Sequence, residues 1–434
     1  MILTGANVAA STLALALAVT PSGCGGDDVP ATSACDPALG IAPGVDCVWA
    51  VAGDFRGTGV LSAIEVPPAP GASADPGADP SVAIEPPVDF TVEIGAIAGV
   101  VDDDPVVTSD GDTLYIVNRF GADNVTVIDL STRTLIAQVS TGPGTNPQDV
   151  VARGRRLYVA ALAAPGLLVI DLDQSDQGVV AIIDLSQLDP DDGRPDCHAL
   201  AVVGDYLYAS CGVLDERFSP RGPGKVVVID LATDELVQIV DLSTANPVGR
   251  LTVAPAGGPL AGALLVATVD FANLSDGDLT RGCLERIDLA SGPAPGPSQP
   301  ATARGCLIDN QALGGYVSTH VHEPDGSVLH LVVTEGYGPD GAVSHAIDYD
   351  LQADQLQERH LTPPSEAPID LVRCPNGTIV GADARAGGIR VYDPNPAAGV
   401  WTQRTQSALD IGLPPVERGL VCLSGAALTA ATPD

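Results

Sequence analysis

Leu114-Tyr115-Ile116-Val117, a short loop, then Val125-Thr126-Val127-Ile128-Asp129-Leu130 is the stretch on which the reading turns. Both runs are rich in β-branched residues and too short for helices, and Gly and Asn separate them, so each reads as a strand. The pair recurs as Leu157–Ala160 with Leu167–Leu172, and as Leu207–Ser210 with Lys225–Leu231. It returns more loosely as Leu264–Ala267 with Leu284–Leu289, Leu329–Val332 with Ser344–Asp348, and Ile379–Ala382 with Ile389–Asp393. Six copies at a spacing of roughly 40 to 65 residues indicate one supersecondary unit, used repeatedly and buried only by its neighbours. Turn signals such as Asp110-Gly111-Asp112 and Asp325-Gly326-Ser327 separate the runs, and helical periodicity is absent. In each copy the Asp after Val-Ile ends the third strand and starts the turn to the fourth.

Four short strands per copy is the arithmetic of a propeller blade. The pattern Leu-Tyr-Val-Ala/Asn, a Gly/Asn loop, then Val-x-Val-Ile-Asp resembles the YVTN-type β-propeller repeats of extracellular and periplasmic proteins. Residues 104–231 carry it best, and it persists in weaker form to about residue 395. The resemblance implies an all-β fold, a single β-propeller, and says almost nothing about chemistry. A seventh blade is assembled from the two ends. The tail supplies Glu417–Leu423 and Ala426–Ala430, and the head supplies Val48–Ala52 and Val60–Val66. Closing the ring with both termini removes free sheet edges. Seven blades is the expectation, with eight as the alternative.

Composition agrees with a folded, turn-rich chain. Of 434 residues, 48 are Gly and 37 Pro, yet 45% are apolar, too many for a disordered segment. Aromatic residues make up 3%, so Val, Leu, Ile and Ala must fill the seams between blades. With 20 Lys+Arg against 55 Asp+Glu the formal charge is −35. This argues against nucleic acid and against electrostatic docking on anionic lipid.

Residues 8–20 form an uncharged segment too short to span a bilayer and suited to a signal-peptide core. Pro21-Ser22-Gly23-Cys24 follows, and small residues before a cysteine resemble a bacterial lipoprotein signal. The resemblance implies a signal peptide over 1–23, lipidation of Cys24, a tether over 24–34, and attachment to the envelope only through the lipid. Pro21 stands where Leu is usual, and no Lys or Arg precedes Arg56, so an ordinary secretory leader is the alternative. Without Cys24, eight cysteines remain, an even number: Cys35, Cys47, Cys197, Cys211, Cys283, Cys306, Cys374 and Cys422. Proximity suggests pairing in that order, four disulfides in an oxidising compartment. The body then spans 35–434, with a Pro/Ala/Gly-rich surface excursion at 67–87.

Chemistry is sought where propellers place it. Each innermost strand is entered through a proline-bearing turn, and the polar residue that follows points into the channel mouth. Asp149, His198, Arg250, Asp370 and Arg418 therefore form a candidate mixed-charge ring, open both to ligand binding and to plain charge pairing at a solvated entrance. His320 and His322, spaced i, i+2, share a strand face and could ligate a metal, or simply pack between blades. By the alignment, Glu323 points away from them, His330 replaces the repeat Tyr, and His345 stands at a sheet position equivalent to Thr126 or Val227. Asp189–Gly193 and Asp276–Asp278 could hold calcium or could be solvated turns. No nucleophile elbow, P-loop, zinc-protease or dinucleotide motif occurs. The expected function is non-catalytic binding of an envelope protein or glycan through the rim loops, with no resident cofactor. The alternatives are a channel-metal enzyme of lactone-hydrolase or oxidoreductase type, and a structural role in a surface assembly.

Overall fold

The computed structural model describes residues 34–68, 90–270, 278–289, 300–338, 341–357, 361–395 and 400–430. The leader, Cys24 and nearly all of the 67–87 excursion lie outside the described residues.

Seven four-stranded antiparallel sheets form the blades of a propeller. Counting from the first complete copy, blades 1 to 6 have innermost strands Pro105–Ser109, Pro147–Arg153, Cys197–Val203, Pro247–Val253, Tyr316–His322 and Pro368–Arg373. Blade 7 takes its innermost strand, Pro415–Ser424, from the C-terminus, and Asp46–Gly53, Gly59–Val66 and Val92–Ile94 from the N-terminal part. The expected two-ended closure is present, with one correction. Ala426–Ala430 is not a strand but lies in a short helix, Gly425–Ala430. Its sheet place is already filled by Asp46–Gly53, and an Ala-rich hexapeptide is a good helix former.

The ring holds together because alternate residues of each strand face opposite neighbours. In blade 2, Leu157 and Val159 pack with Tyr115 and Val127 of blade 1, whereas Tyr158 and Ala160 pack with Leu207 and Val227 of blade 3. The same division repeats around the ring, giving one buried apolar cluster at each of the seven seams. The last seam joins Trp49, Leu61 and Val416 of blade 7 to Val107, Leu114 and Ile116 of blade 1.

Five innermost strands begin at proline, where no ladder donor is needed. In blades 2 to 7 the pairing of the innermost strand is then interrupted by a bulge. Bulges re-aim the side chains in and just after them, and the entry residues stand there: His198, Arg250 and Arg418 within the interruptions, Asp149 and Asp370 directly after them.

All four expected disulfides form. Cys35–Cys47 fastens the N-terminal segment to blade 7, and Cys197–Cys211 and Cys283–Cys306 each cross one blade. Cys374–Cys422 ties blade 6 to the closing strand of blade 7. Ala34, the end of the expected tether, is buried, and its carbonyl accepts from Arg133.

Candidate functional site

The five entry residues converge, and they do so by crossing the channel. Asp149 accepts from Val150 N on its own strand and from Leu200 N of blade 3, at 3.0 and 2.8 Å. Asp370 repeats the arrangement between blades 6 and 7, accepting from Leu371 N and Leu420 N at 3.0 Å each. Each carboxylate thus clips its own innermost strand to the next. Arg418, from blade 7, brings Nη2 to 2.9 Å from Asp149 Oδ1 as an ion pair and Nη1 to 3.4 Å from His198 O. Arg250, from blade 4, spans the channel to Val107 O at 3.0 Å and Leu420 O at 3.2 Å, with Nη2 3.7 Å from Asp370. Gly249 lets blade 4 make that approach: its φ is +68°, and a Cβ there would lie 2.6 Å from Ser318 O.

Burial sets the electrostatics of this plug. It lowers the Arg418 pKa to about 10, raises that of Asp370, and, helped by Arg418 and Arg119, holds His198 well below the ordinary imidazole value. His198 is therefore a neutral partner at pH 7. Asp149, Asp370 and Arg418 are buried, His198 and Arg250 partly so, and their contacts join blade to blade.

Beyond Arg250, the later residues of the innermost strands line an open cavity of about 420 Å³. His320 and His322 line it together, and the Nε2 atoms of both approach one hydroxyl, Thr252 Oγ1, at 2.7 and 3.2 Å. Burial drops His320 to a pKa of about 3 and His322 to about 4, so both are neutral. Glu323 does turn away from this pair. It meets His330 Nε2 at 2.8 Å and Arg373 at 3.0 Å, while His330 Nδ1 meets Asp348 at 2.5 Å.

That cluster corrects the repeat alignment in blade 5. His330 pairs across the sheet with Asp348 as Tyr115 pairs with Val127, so Asp348 is a sheet residue and the turn role belongs to Asp350. Asp350 Oδ1 accepts from Gln352 N and Ala353 N at 2.8 and 2.9 Å. His345 moves by the same two residues, standing where blade 1 has Asn124, and bonds Glu335 at 2.7 Å.

The first acidic loop already contains a cation. Arg221 Nη1 lies 2.5 Å from Asp189 and 3.2 Å from Asp192, with its Nε 3.7 Å from Asp191. In the second, Asp278 pairs with Arg281 at 3.5 Å, and Asp276 and Gly277 lie outside the described residues. Among the described residues, one grouping has three potential metal ligands close together: Asp46, Cys374 and Cys422. Its two sulfurs are spent in a disulfide.

The rim carries a feature that motif reading missed. The chain has five Phe, and three of them stand exposed on loops joining second to third strands: Phe55 in blade 7, Phe120 in blade 1 and Phe218 in blade 3. They are 66%, 76% and 57% exposed. Antiparallel alternation places all second-to-third loops at the end of the propeller where the innermost strands begin. Each Phe has an Arg beside it, in Phe55-Arg56, Arg119-Phe120 and Arg217-Phe218, in a chain with only 20 basic residues. Phe55 and Phe218 hold φ at +53° and +60°, a cost for bulky residues that functional loops tolerate. Tyr337, 57% exposed, sits near the tip of the corresponding blade 5 hairpin, its hydroxyl 2.9 Å from that of Tyr316.

Solved structures share the fold. A 6-phosphogluconolactonase candidate from Bacteroides uniformis matches over 88% of this chain and 100% of its own, at TM-score 0.56 and 15% identity. One from Bacteroides fragilis matches over 88% and 99%, at 0.55 and 15%. A protein from Lactobacillus plantarum matches over 88% and 100%, at 0.56 and 14%. The chain is a seven-bladed β-propeller. Identity this low establishes the fold and no shared activity. No protein-family model matches the chain, and neither does any curated protein.

Proposed function

We propose that this is an exported, non-catalytic binding propeller of YVTN-like repeats, held in the bacterial envelope by a lipid on Cys24. It engages a protein partner through the rim that carries Phe55, Phe120 and Phe218. The observation that carries the reading is the concentration of scarce aromatics, each beside an arginine, at loop tips of one rim. Exposed aromatic and Arg side chains are the types that dominate protein-binding energy, and Arg56 and Arg217 are exposed, whereas Arg119 is held by Asp104. Their spread over blades 7, 1 and 3 suits a broad protein surface of apolar and carboxylate character better than a single sugar ring. The channel supports the same view, because its mouth charges are engaged in joining blades. Four disulfides fit maturation in an oxidising compartment. No helix among the described residues is long and apolar enough to cross a membrane, so a lipid would supply the attachment.

The test is a triple Phe55→Ser, Phe120→Ser, Phe218→Ser variant of the full chain, produced in its own envelope and solubilised in mild detergent. The unsubstituted protein elutes from gel filtration in a complex larger than itself. The variant, with an unchanged circular dichroism spectrum and melting temperature, elutes alone. Identical elution of the two would overturn the proposal.

A further inference from the structure

The paired charges of the channel mouth leave one over. Arg119 pairs with Asp104, Arg418 with Asp149 and Arg250 with Asp370. A fourth carboxylate, Glu417, stands among them and makes no hydrogen bond or ion pair with any described residue. It precedes Arg418 on the closing strand, where residues 416–419 lie in the interruption of the pairing with Asp46–Gly53. Arg418 takes φ +58° there, a conformation that persists in a bulky residue only when the surroundings impose it. Arg418 turns to Asp149 and is buried, whereas Glu417 is exposed.

Exposed carboxylates are common on a chain with 55 acidic residues, but this one stands inside the ring of blades. Its charge acts on Arg119 of blade 1, on Tyr316 and Tyr337 of blade 5, and on Asp370 of blade 6. Groups from four blades therefore surround it, at the end of the propeller that carries Phe55, Phe120 and Phe218. The hydroxyls of Tyr316 and Tyr337 bond each other at 2.9 Å, and burial, aided by the Glu417 charge, raises the pKa of both. The tyrosines stay neutral, so the mouth holds one more carboxylate than guanidinium.

The surplus calls for a cation, and the neighbours select its kind. A hard metal ion needs several oxygen ligands, and Asp104, Asp149 and Asp370 are already committed to arginines. A guanidinium needs one carboxylate with both oxygens open, which it meets through two parallel N–H···O bonds. It is planar and weakly hydrated, so it tolerates the company of Arg119 and Arg418. It also stacks on aromatic faces, and Tyr337 is 57% exposed beside the mouth.

We infer that the channel mouth receives an arginine side chain of the protein partner, its guanidinium on the Glu417 carboxylate. This rests on the reading of the rim as a protein-binding surface, which supplies the arginine.

The experiment follows ring-13C-tyrosine NMR of the full-length protein, with N-acetyl-arginine amide as the probe and N-acetyl-citrulline amide, its uncharged isostere, as the control. The arginine probe shifts the ring signals of Tyr337 saturably, and the citrulline control does not. Glu417→Gln weakens probe binding by about tenfold or more, the loss expected when a hydrogen-bonded charge is removed. Glu417 is exposed and unpaired, so the substitution leaves the fold intact. No saturable shift in the unsubstituted protein, equal shifts from citrulline, or undiminished binding by Glu417→Gln overturns the inference. The source of the arginine is read on the complex that the full chain forms in gel filtration. Glu417→Lys releases the partner, and a complex that survives Glu417→Lys overturns the inference too. Probe failure beside an intact rim complex removes this inference alone. A rim that engages nothing while the probe binds removes the rim reading, and with it the partner's arginine.

Discussion

His330 shows what a single replacement does inside a repeat. Tyr115 and Tyr158 occupy the corresponding position in their blades and send their hydroxyls to Asp110 and Asp234, at 2.7 and 2.8 Å. His330 instead bridges Asp348 and Glu323 while stacking edge-on to Trp401, 5.4 Å between centroids. Burial opposes its charge, but the hydrogen bonds from Asp348 and Glu323 outweigh burial, and the pKa rises above 6.5. The folded state therefore holds this proton more tightly than the unfolded chain does. The stabilisation is complete below pH 6.5 and is lost as pH rises through the elevated folded value. Urea unfolding of the natural protein should show this contribution fading on the alkaline side of pH 6.5, and His330→Tyr/Asp348→Val should abolish the trend. Asp348→Val alone should cost about 3 kcal/mol by breaking a buried pair, and the double substitution clearly less. The sequence showed that a histidine replaces tyrosine here. It did not show the two-residue offset that brings Asp348 opposite, because Ile347-Asp348 imitates the Val-Ile-Asp signature that Tyr349-Asp350 performs.

At the scale of elements, the prolines at strand starts and the aspartates at third-strand ends were legible because each has a local physical cause: a missing donor, and a carboxylate that accepts turn amides. Asp129 and Asp230 act as expected, accepting from Thr132 N and Ala232 N at 3.0 and 2.8 Å. The bulges were not legible, since Gln148, His198, Ser318 and Ile369 occupy them with nothing in common. Without the bulges, the entry residues could be placed at the channel but not paired across it. The arginine plug is accordingly a tertiary fact, set by which blades stand opposite. The disulfides offer a graded test of closure. Chain entropy predicts about 4 kcal/mol from the 48-residue separation of Cys374 and Cys422, and about 3 from the 14-residue separation of Cys197 and Cys211. Paired Cys→Ala variants, compared by chemical denaturation, should rank in that order. Equal losses would mean that blade 7 is held by its apolar seams and gains nothing extra from the covalent link.

Across the whole molecule, seven similar seams make a rigid ring of Val, Leu, Ile and Ala, and the conspicuous side chains are left for special places. Trp49 sits buried in the closing seam beneath Arg133, and Trp401 closes over His330. Phe55, Phe120 and Phe218 stand at one rim. The fold was legible from the repeat, whereas the rim was not, because no motif marks a loop tip whose value lies in exposure. The available signal was scarcity: three of five phenylalanines lie next to arginine in turn-rich segments between the second and third runs of a copy. The central claim, that the protein works by binding a partner at this rim, is tested most directly by photo-crosslinking in producing cells. A photoreactive phenylalanine analogue is placed at Phe55, Phe120 or Phe218, or at Ile182, which is exposed on an outer strand. The account predicts one common protein adduct from the three rim positions, diminished by Arg56→Glu/Arg217→Glu and absent from position 182. Adducts of equal yield from position 182, or none from the rim, would contradict it.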